Sequence, residues 1–415
     1  IPNRHGIGAG TWWDYAKNKE VYAFTDENYP LITAEGAILT AEPSKGRSPM
    51  KLLSSTIGDE IFLASEEKAK IFAVSGKDRA SILPAGWTGK AFWLLNGKFL
   101  TSTYYYKQMP NWVVAWNKLN LAEGYRNKKW ELLNDPATYW RLKSDDRAYE
   151  GGYKHLGKTM PKVYAAANDE EFYNGLNFSI ANDELVLEFS KELLLKENLG
   201  QNPQVTDYLS VSFSSTDYIN HNWGPDSLEA EDNFLRVDNL LEQLFNHVDK
   251  LIGLDKVLIV LAADHGGPEI PAFLQELGFK HAQRVDPAAY IDSINAVLQQ
   301  KFGKNRTYIQ TFLWPYYFIS KDVVEDPNLN LAAIEKVIAE ESMKIPGVAF
   351  ATTKSDLLSG HVPHDKAHKM ILNSFFPGRS GNVHLLCAQN ANMVHQSWLY
   401  IASSHGSIWS YDTYV

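Results

Sequence analysis

Cysteine is nearly absent: Cys387 is the single one in 415 residues, so no internal disulfide can form. It ends the mostly apolar run Val383-His384-Leu385-Leu386-Cys387 and reads as a small core residue rather than a nucleophile. Basic runs are absent and the formal net charge is −9, which argues against a nucleic-acid polymer as the main partner. No apolar stretch approaches the length of a transmembrane helix. The lack of disulfides does not fix a compartment, because oxidising compartments permit them without requiring them. The chain opens on Ile1-Pro2 without Met and closes on Tyr411-Asp412-Thr413-Tyr414-Val415, as if at the start of another strand. It reads as an internal piece of a longer protein, truncated at both ends, so a missing targeting signal carries no meaning.

What is present begins with Val257–Pro268, seven apolar residues that run into Asp264, His265, Gly266 and Gly267. The run lacks polar alternation and predicts a strand buried on both faces of a parallel sheet. Ligands of open α/β sheets sit beyond the carboxyl ends of strands, where Asp264 and His265 would lie. Taken alone, such a pair reads equally well as a strand end whose Asp caps the next turn. Two further strands are predicted at Tyr208–Ser215, leading to Asp217 and His221, and at Gln396–Ser404, leading to His405. Asp217, His221, Asp264, His265 and His405 are oxygen and nitrogen donors without a thiolate, a set that suits catalytic zinc, with manganese second.

Elsewhere the signals are plainer. Hydrophobic content of 45% supplies core for one large α/β domain or two smaller ones. Arg4–Gly10 is glycine-rich but lacks P-loop spacing and its Lys-Ser/Thr. Ser48-Pro49 predicts a helix start, with Met50, Leu53, Ile57 and Ile61 at helical spacing behind it. A short strand at Ile71–Val74 leads to Lys77 and Arg79. On extended backbone these two would point the same way, as a phosphate grip requires, although the local sequence alone favours an ordinary solvated Lys-Asp-Arg turn. Residues 87–204 are aromatic-rich and read as an insertion whose rings mostly pack a core, with sugar or aglycone binding as the alternative. Phe234 to Leu251 repeat at three and four, the clearest amphipathic helix. With flanking strands it makes a β-α-β unit, so the expectation is an α/β fold with a mostly parallel central sheet and helices on both faces. Further helices are expected at Ile270–Leu277, Pro287–Gln300 and Leu331–Ser342. His364 and His368 stand at i, i+4 but lack the metalloprotease Glu between them, so a solvated loop is expected there. Gly378–Asn382 predicts a hairpin turn.

With these residues placed, the chain resembles the alkaline phosphatase superfamily, in particular the bacterial alkaline phosphatases related to nucleotide pyrophosphatase/phosphodiesterases. The carrying motifs are Ser215–Pro225, Ala263-Asp264-His265-Gly266-Gly267, Ser404-His405-Gly406-Ser407 with Tyr411-Asp412-Thr413, and Lys77-Asp78-Arg79 followed by Ile82–Gly86. The resemblance implies one alkaline-phosphatase-like catalytic domain over 1–415, and two zinc ions. Asp217, His221 and His405 would hold one, Asp264 and His265 the other, and Lys77 and Arg79 would grip the phosphoryl oxygens. It also implies a small phosphate ester as substrate, hydrolysed by in-line attack through a phospho-enzyme, and a periplasmic or secreted location. The family's Thr or Ser nucleophile and one Asp ligand fall upstream of Ile1, so this segment alone is expected to be inactive. The family's phosphate-donating Asn matches Gly10, before Thr11-Trp12-Trp13-Asp14. A phosphodiesterase, or a silent metal- or phosphate-binding homologue, is the alternative.

Overall fold

The computed structural model describes residues 2–42, 45–394 and 401–414. The chain forms two compact units, one of Phe24–Ala262 and one assembled from Ile1–Ala23 and Ala263–Val415. No helix of the described residues is long and apolar enough to cross a membrane.

The Phe24–Ala262 unit is built on a five-stranded sheet of β1 (Leu31–Ile32), β2 (Ile71–Ser75), β3 (Lys90–Leu95), β4 (Lys98–Ser102) and β5 (Tyr208–Ser212), in the spatial order β1-β4-β3-β2-β5. β2 is buried along its whole length and runs parallel to both β3 and β5. The β3–β4 hairpin turns through Asn96-Gly97, both at positive φ, the pairing that matches the twist of two strands. The sheet is therefore parallel at its centre and antiparallel at the β1–β4–β3 side. β3 and β4 come from the stretch 87–204 expected to form an insertion, so its first part is strand of this sheet rather than a separate layer.

Helix α1 spans Ile57–Ala64, not the region behind Ser48-Pro49. Thr56 and Asp59 close a capping box there, satisfying two orphan amides that Pro49 could not. α2 (Asp78–Ala85) follows β2. α3 (Ala181–Lys196) buries Leu185, Val186, Phe189 and Leu193, and Phe189 stacks on Phe99 with ring centroids 3.9 Å apart. α4 (Ser215–Trp223) and α5 (Leu228–Leu251) follow β5, the latter being the expected amphipathic helix. Most aromatics of 103–204 are core: Tyr105, Trp116, Trp130 and Tyr139 are buried, while Trp140 is exposed.

The second unit carries an antiparallel sheet of β6 (Ile309–Leu313), β7 (Tyr316–Ile319), β8 (Val348–Thr353) and β9 (Val383–Cys387), ordered β6-β7-β9-β8. α6 (Ile291–Phe302) and α7 (Leu331–Ser342) lie close to expectation. α8 (Lys366–Ser374) ends where the hairpin expected around Gly378–Asn382 would begin; residues 375–382 form no strand, so only the arm after the turn, Val383–Cys387, is extended. Asp365 caps it, accepting from His368 N at 2.8 Å and holding the His368 ring Nδ1 at 2.9 Å, so His368 is a buried helix residue and not part of a solvated loop. Cys387 is buried, as a core residue should be, and burial pushes its thiol up to about 12.

The largest departure is Val257–Pro268, which forms no strand. Leu258 and Val260 are 89% and 79% exposed, so the run is not sandwiched in a sheet. Its backbone is paired with no strand among the described residues, and an apolar run without a ladder partner has nothing to bury it. The strand expected at Gln396–Ser404 falls largely outside the described residues; 401–404 form no strand.

Burial also sets a pH response. Glu150 is 4% exposed, and desolvation pushes its carboxyl up to about 7 even though Arg147 N donates to it. A raised carboxyl pKa means the folded state holds a proton that the unfolded state has released, so stability falls as pH rises from the ordinary carboxyl range to about 7. The Glu150→Gln protein is expected to melt with wild type at pH 5. At pH 8 it should melt higher by about 2–6 °C, for about 2 kcal/mol of relieved cost. A melting difference independent of pH would refute this.

Candidate active site

In the Phe24–Ala262 unit, adjacent parallel strands β2 and β5 end side by side, with Ser75 registered on Ser212. Lys77 follows β2 and caps α2 from extended backbone. α4 follows β5 and carries Asp217 and His221 one turn apart, on one face. The Lys77 ammonium pairs with the Asp217 carboxylate, both side chains largely buried. It also stands 4.2 Å over the Tyr218 ring. His221 Nε2 lies 3.2 Å from Asp217 Oδ1. Lys77, Asp217 and His221 are thus brought together. Arg79 is not on extended backbone beside Lys77: it is the second residue of α2 and exposed, because the chain turns into a helix immediately after Lys77.

In the second unit, Asp264 and His265 lie in irregular chain rather than at a strand end. The Asp264 side chain is exposed and approaches His265 Nε2 at 3.4 Å. His265 Nδ1 faces its neighbour's carbonyl, Gly266 O, at 2.8 Å. The His265 and His405 rings stack with centroids 3.4 Å apart and 14° between planes. Gly406 sits at φ 106°, and a Cβ there would run into the Trp314 ring, so only glycine lets the His405 turn close.

These donor sets fit a divalent cation. Asp217 already binds a cation, the Lys77 ammonium, and His221 adds a borderline nitrogen beside it. The stacked His265 and His405 rings bring two imidazoles side by side, nitrogen donors of the type that suits zinc.

The sequence model of the family described as "Type I phosphodiesterase / nucleotide pyrophosphatase" matches residues 1–408. The chain belongs to this family. Among curated relatives, this family member is 32% identical to alkaline phosphatase PafA of Elizabethkingia meningoseptica, over all of this chain and 74% of the relative. It is 31% identical to alkaline phosphatase PhoV of Synechococcus elongatus, over 93% of this chain and 68% of the relative. A crystal structure of wild-type PafA superimposes with a TM-score of 0.88 at 28% identity, covering 99% of this chain and 77% of that one.

Sequence reasoning passed over Asp183 and Asn182 and gave no role to Ser75 or Tyr218, all of which touch the Lys77 and Asp217 turns. Asp183 sits in the ordinary helical run Asn182-Asp183-Glu184, which bears no local signal. Asp412 stood in a quoted motif without a role.

Proposed function

We propose that this family member is a phosphomonoesterase, with Asp217, His221 and His405 holding one zinc and Asp264 and His265 holding a second, manganese being the alternative. When bound, the two metals supply Lewis acidity to the attacking and leaving oxygens of an in-line displacement. The observation that carries the reading is Lys77, a largely buried ammonium set at paired strand ends beside Asp217 and His221. A carboxylate occupied by metal no longer needs the lysine, which is then available to a phosphoryl oxygen. Arg79, the second residue of α2, offers a forked donor to the same group. Together they favour the dianion of a monoester over the monoanion of a diester. The relatives named alkaline phosphatase support this choice of substrate. The periplasmic or secreted location implied by the resemblance is kept as part of this reading. By the family resemblance the nucleophile would be a Thr or Ser hydroxyl, which would carry the phosphoryl group of the phospho-enzyme. Activity is accordingly measured on the complete gene product.

The test compares an aryl phosphate monoester with the matching diester. Higher kcat/KM for the monoester is expected; faster diester turnover would overturn the assignment in favour of a phosphodiesterase.

Gly10 favours one variant of particular use. It stands at the family's phosphate-donating Asn, and a Cβ there meets nothing within 4 Å. Gly10→Asn is expected to raise monoester kcat/KM by about 10-fold or more, the worth of a transition-state hydrogen-bond donor. An unchanged rate would show that the donor is not missing. A wild-type protein without activity on either ester would mark a silent homologue.

A further inference from the structure

We infer that two buried carboxylates, Asp183 and Asp412, are positioning residues, each fixing the backbone of turns that carry the metal-binding side chains of its own unit. The inference rests on the two-metal reading above.

Asp183 lies in the first turn of α3 and is fully buried. Its Oδ1 accepts from Ser214 N at 2.7 Å and Ser215 N at 3.1 Å, and its Oδ2 from Ser215 N at 3.2 Å. Those amides open α4, the helix of Asp217 and His221. The opening turn of a helix leaves its amides without partners, and Ser214 supplies no side-chain cap of its own. Asp183 caps α4 from another helix. The same buttress reaches the Lys77 turn. Ser214 Oγ is 3.3 Å from Ser75 Oγ, which accepts from Lys77 N at 3.0 Å. Gly76 is seated on the buried amide of Asn182, leaving no room for a Cβ.

Asp412 does the same work in the other unit. It is 3% exposed; its Oδ2 accepts from Gly406 N at 3.1 Å and Ser407 N at 2.6 Å, the two amides after His405. Its main-chain carbonyl accepts from Gly266 N at 2.8 Å, the amide after His265. A Cβ on Gly266 would strike the Tyr411 carbonyl. One residue therefore ties the His265 turn to the His405 turn. Neither carboxylate is a metal ligand in the proposed set. Each holds the backbone by charge-assisted hydrogen bonds, and groups that orient ligands in this way govern metal affinity by about 10- to 100-fold.

The experiment measures zinc affinity of the complete gene product by competition with a chromophoric chelator, with melting temperature alongside. Asp183→Asn and Asp412→Asn are expected to weaken zinc binding by about 10- to 100-fold, with phosphatase activity recovering as zinc is raised. Asp59→Asn is the structural control. Asp59 is 2% exposed and accepts from Trp87 N and Thr88 N, but at no ligand turn. It should lower the melting temperature and leave zinc affinity unchanged. Wild-type zinc affinity in both Asp183→Asn and Asp412→Asn, or losses matched by Asp59→Asn, would overturn the inference. Undiminished zinc binding by His405→Ala would instead overturn the two-metal reading. Should the Asn variants not fold, Ser75→Ala tests the same network. Orthophosphate inhibition is expected to weaken about threefold or more at an unchanged melting temperature, and wild-type inhibition would overturn the inference.

Discussion

Replacing Lys77 with alanine is expected to lower kcat/KM for a phosphate monoester by about 10²- to 10³-fold, and for the matching diester by about 10-fold or less. The difference follows from charge. A monoester presents two anionic charges on its free oxygens, a diester one, so a positive donor stabilises the first more. Lys77 reaches the site as a largely buried ammonium, where low dielectric strengthens its interactions, and a water molecule cannot substitute for it. The variant has a second signature. Without metal, Lys77 is the cation that neutralises Asp217. Lys77→Ala removes that buried ion pair, so the zinc-free protein should melt lower than wild type and zinc should close the gap. Equal losses on both esters would contradict the role of Lys77 in choosing between them.

The second large effect is expected from His405→Ala. Its ring stacks on His265, and its turn is fixed by Gly406 and by the amides given to Asp412. On the proposed ligand set, removing this imidazole takes away one of the three donors assigned to the first zinc. Zinc affinity should fall by more than about 100-fold, beyond the range for groups that merely orient ligands. Monoester hydrolysis should fall with it and should not recover on adding lysine- or phosphate-directed ligands, only in part on adding zinc. Chelation of the wild-type protein should give the same loss, reversible with zinc. Activity that survives chelation would contradict a metal-dependent mechanism.

The contrast between these residues and their surroundings shows how much a sequence conveys. Asp217 and His221 were legible because a strand pattern followed by i, i+4 donors reports local geometry, and Ser215–Trp223 is indeed a helix. Lys77 was legible as a strand-end cation, but its competition with a solvated turn was decided by burial, which depends on the distant Asp217. The α5 repeat and the β2 and β5 strands were legible because periodicity and apolar content act within one element. Val257–Leu261 was misread because an apolar run states that burial is favourable, not which strand supplies it. The helix behind Ser48-Pro49 failed for a related reason: the capping box at Thr56 and Asp59 satisfies more amides than the proline start. His368 became a core residue through Asp365, three positions away and at a cap that the histidine spacing obscured. Asp183 and Asp412 were invisible as positioning groups, since accepting amides from a different turn is a tertiary fact without a local pattern.

Anomalous diffraction at the zinc edge, on crystals of the complete gene product grown with zinc, tests the account most directly. Two peaks are predicted, one bounded by Asp217, His221 and His405 and the other by Asp264 and His265. Zinc bound elsewhere, or at neither cluster, would contradict it.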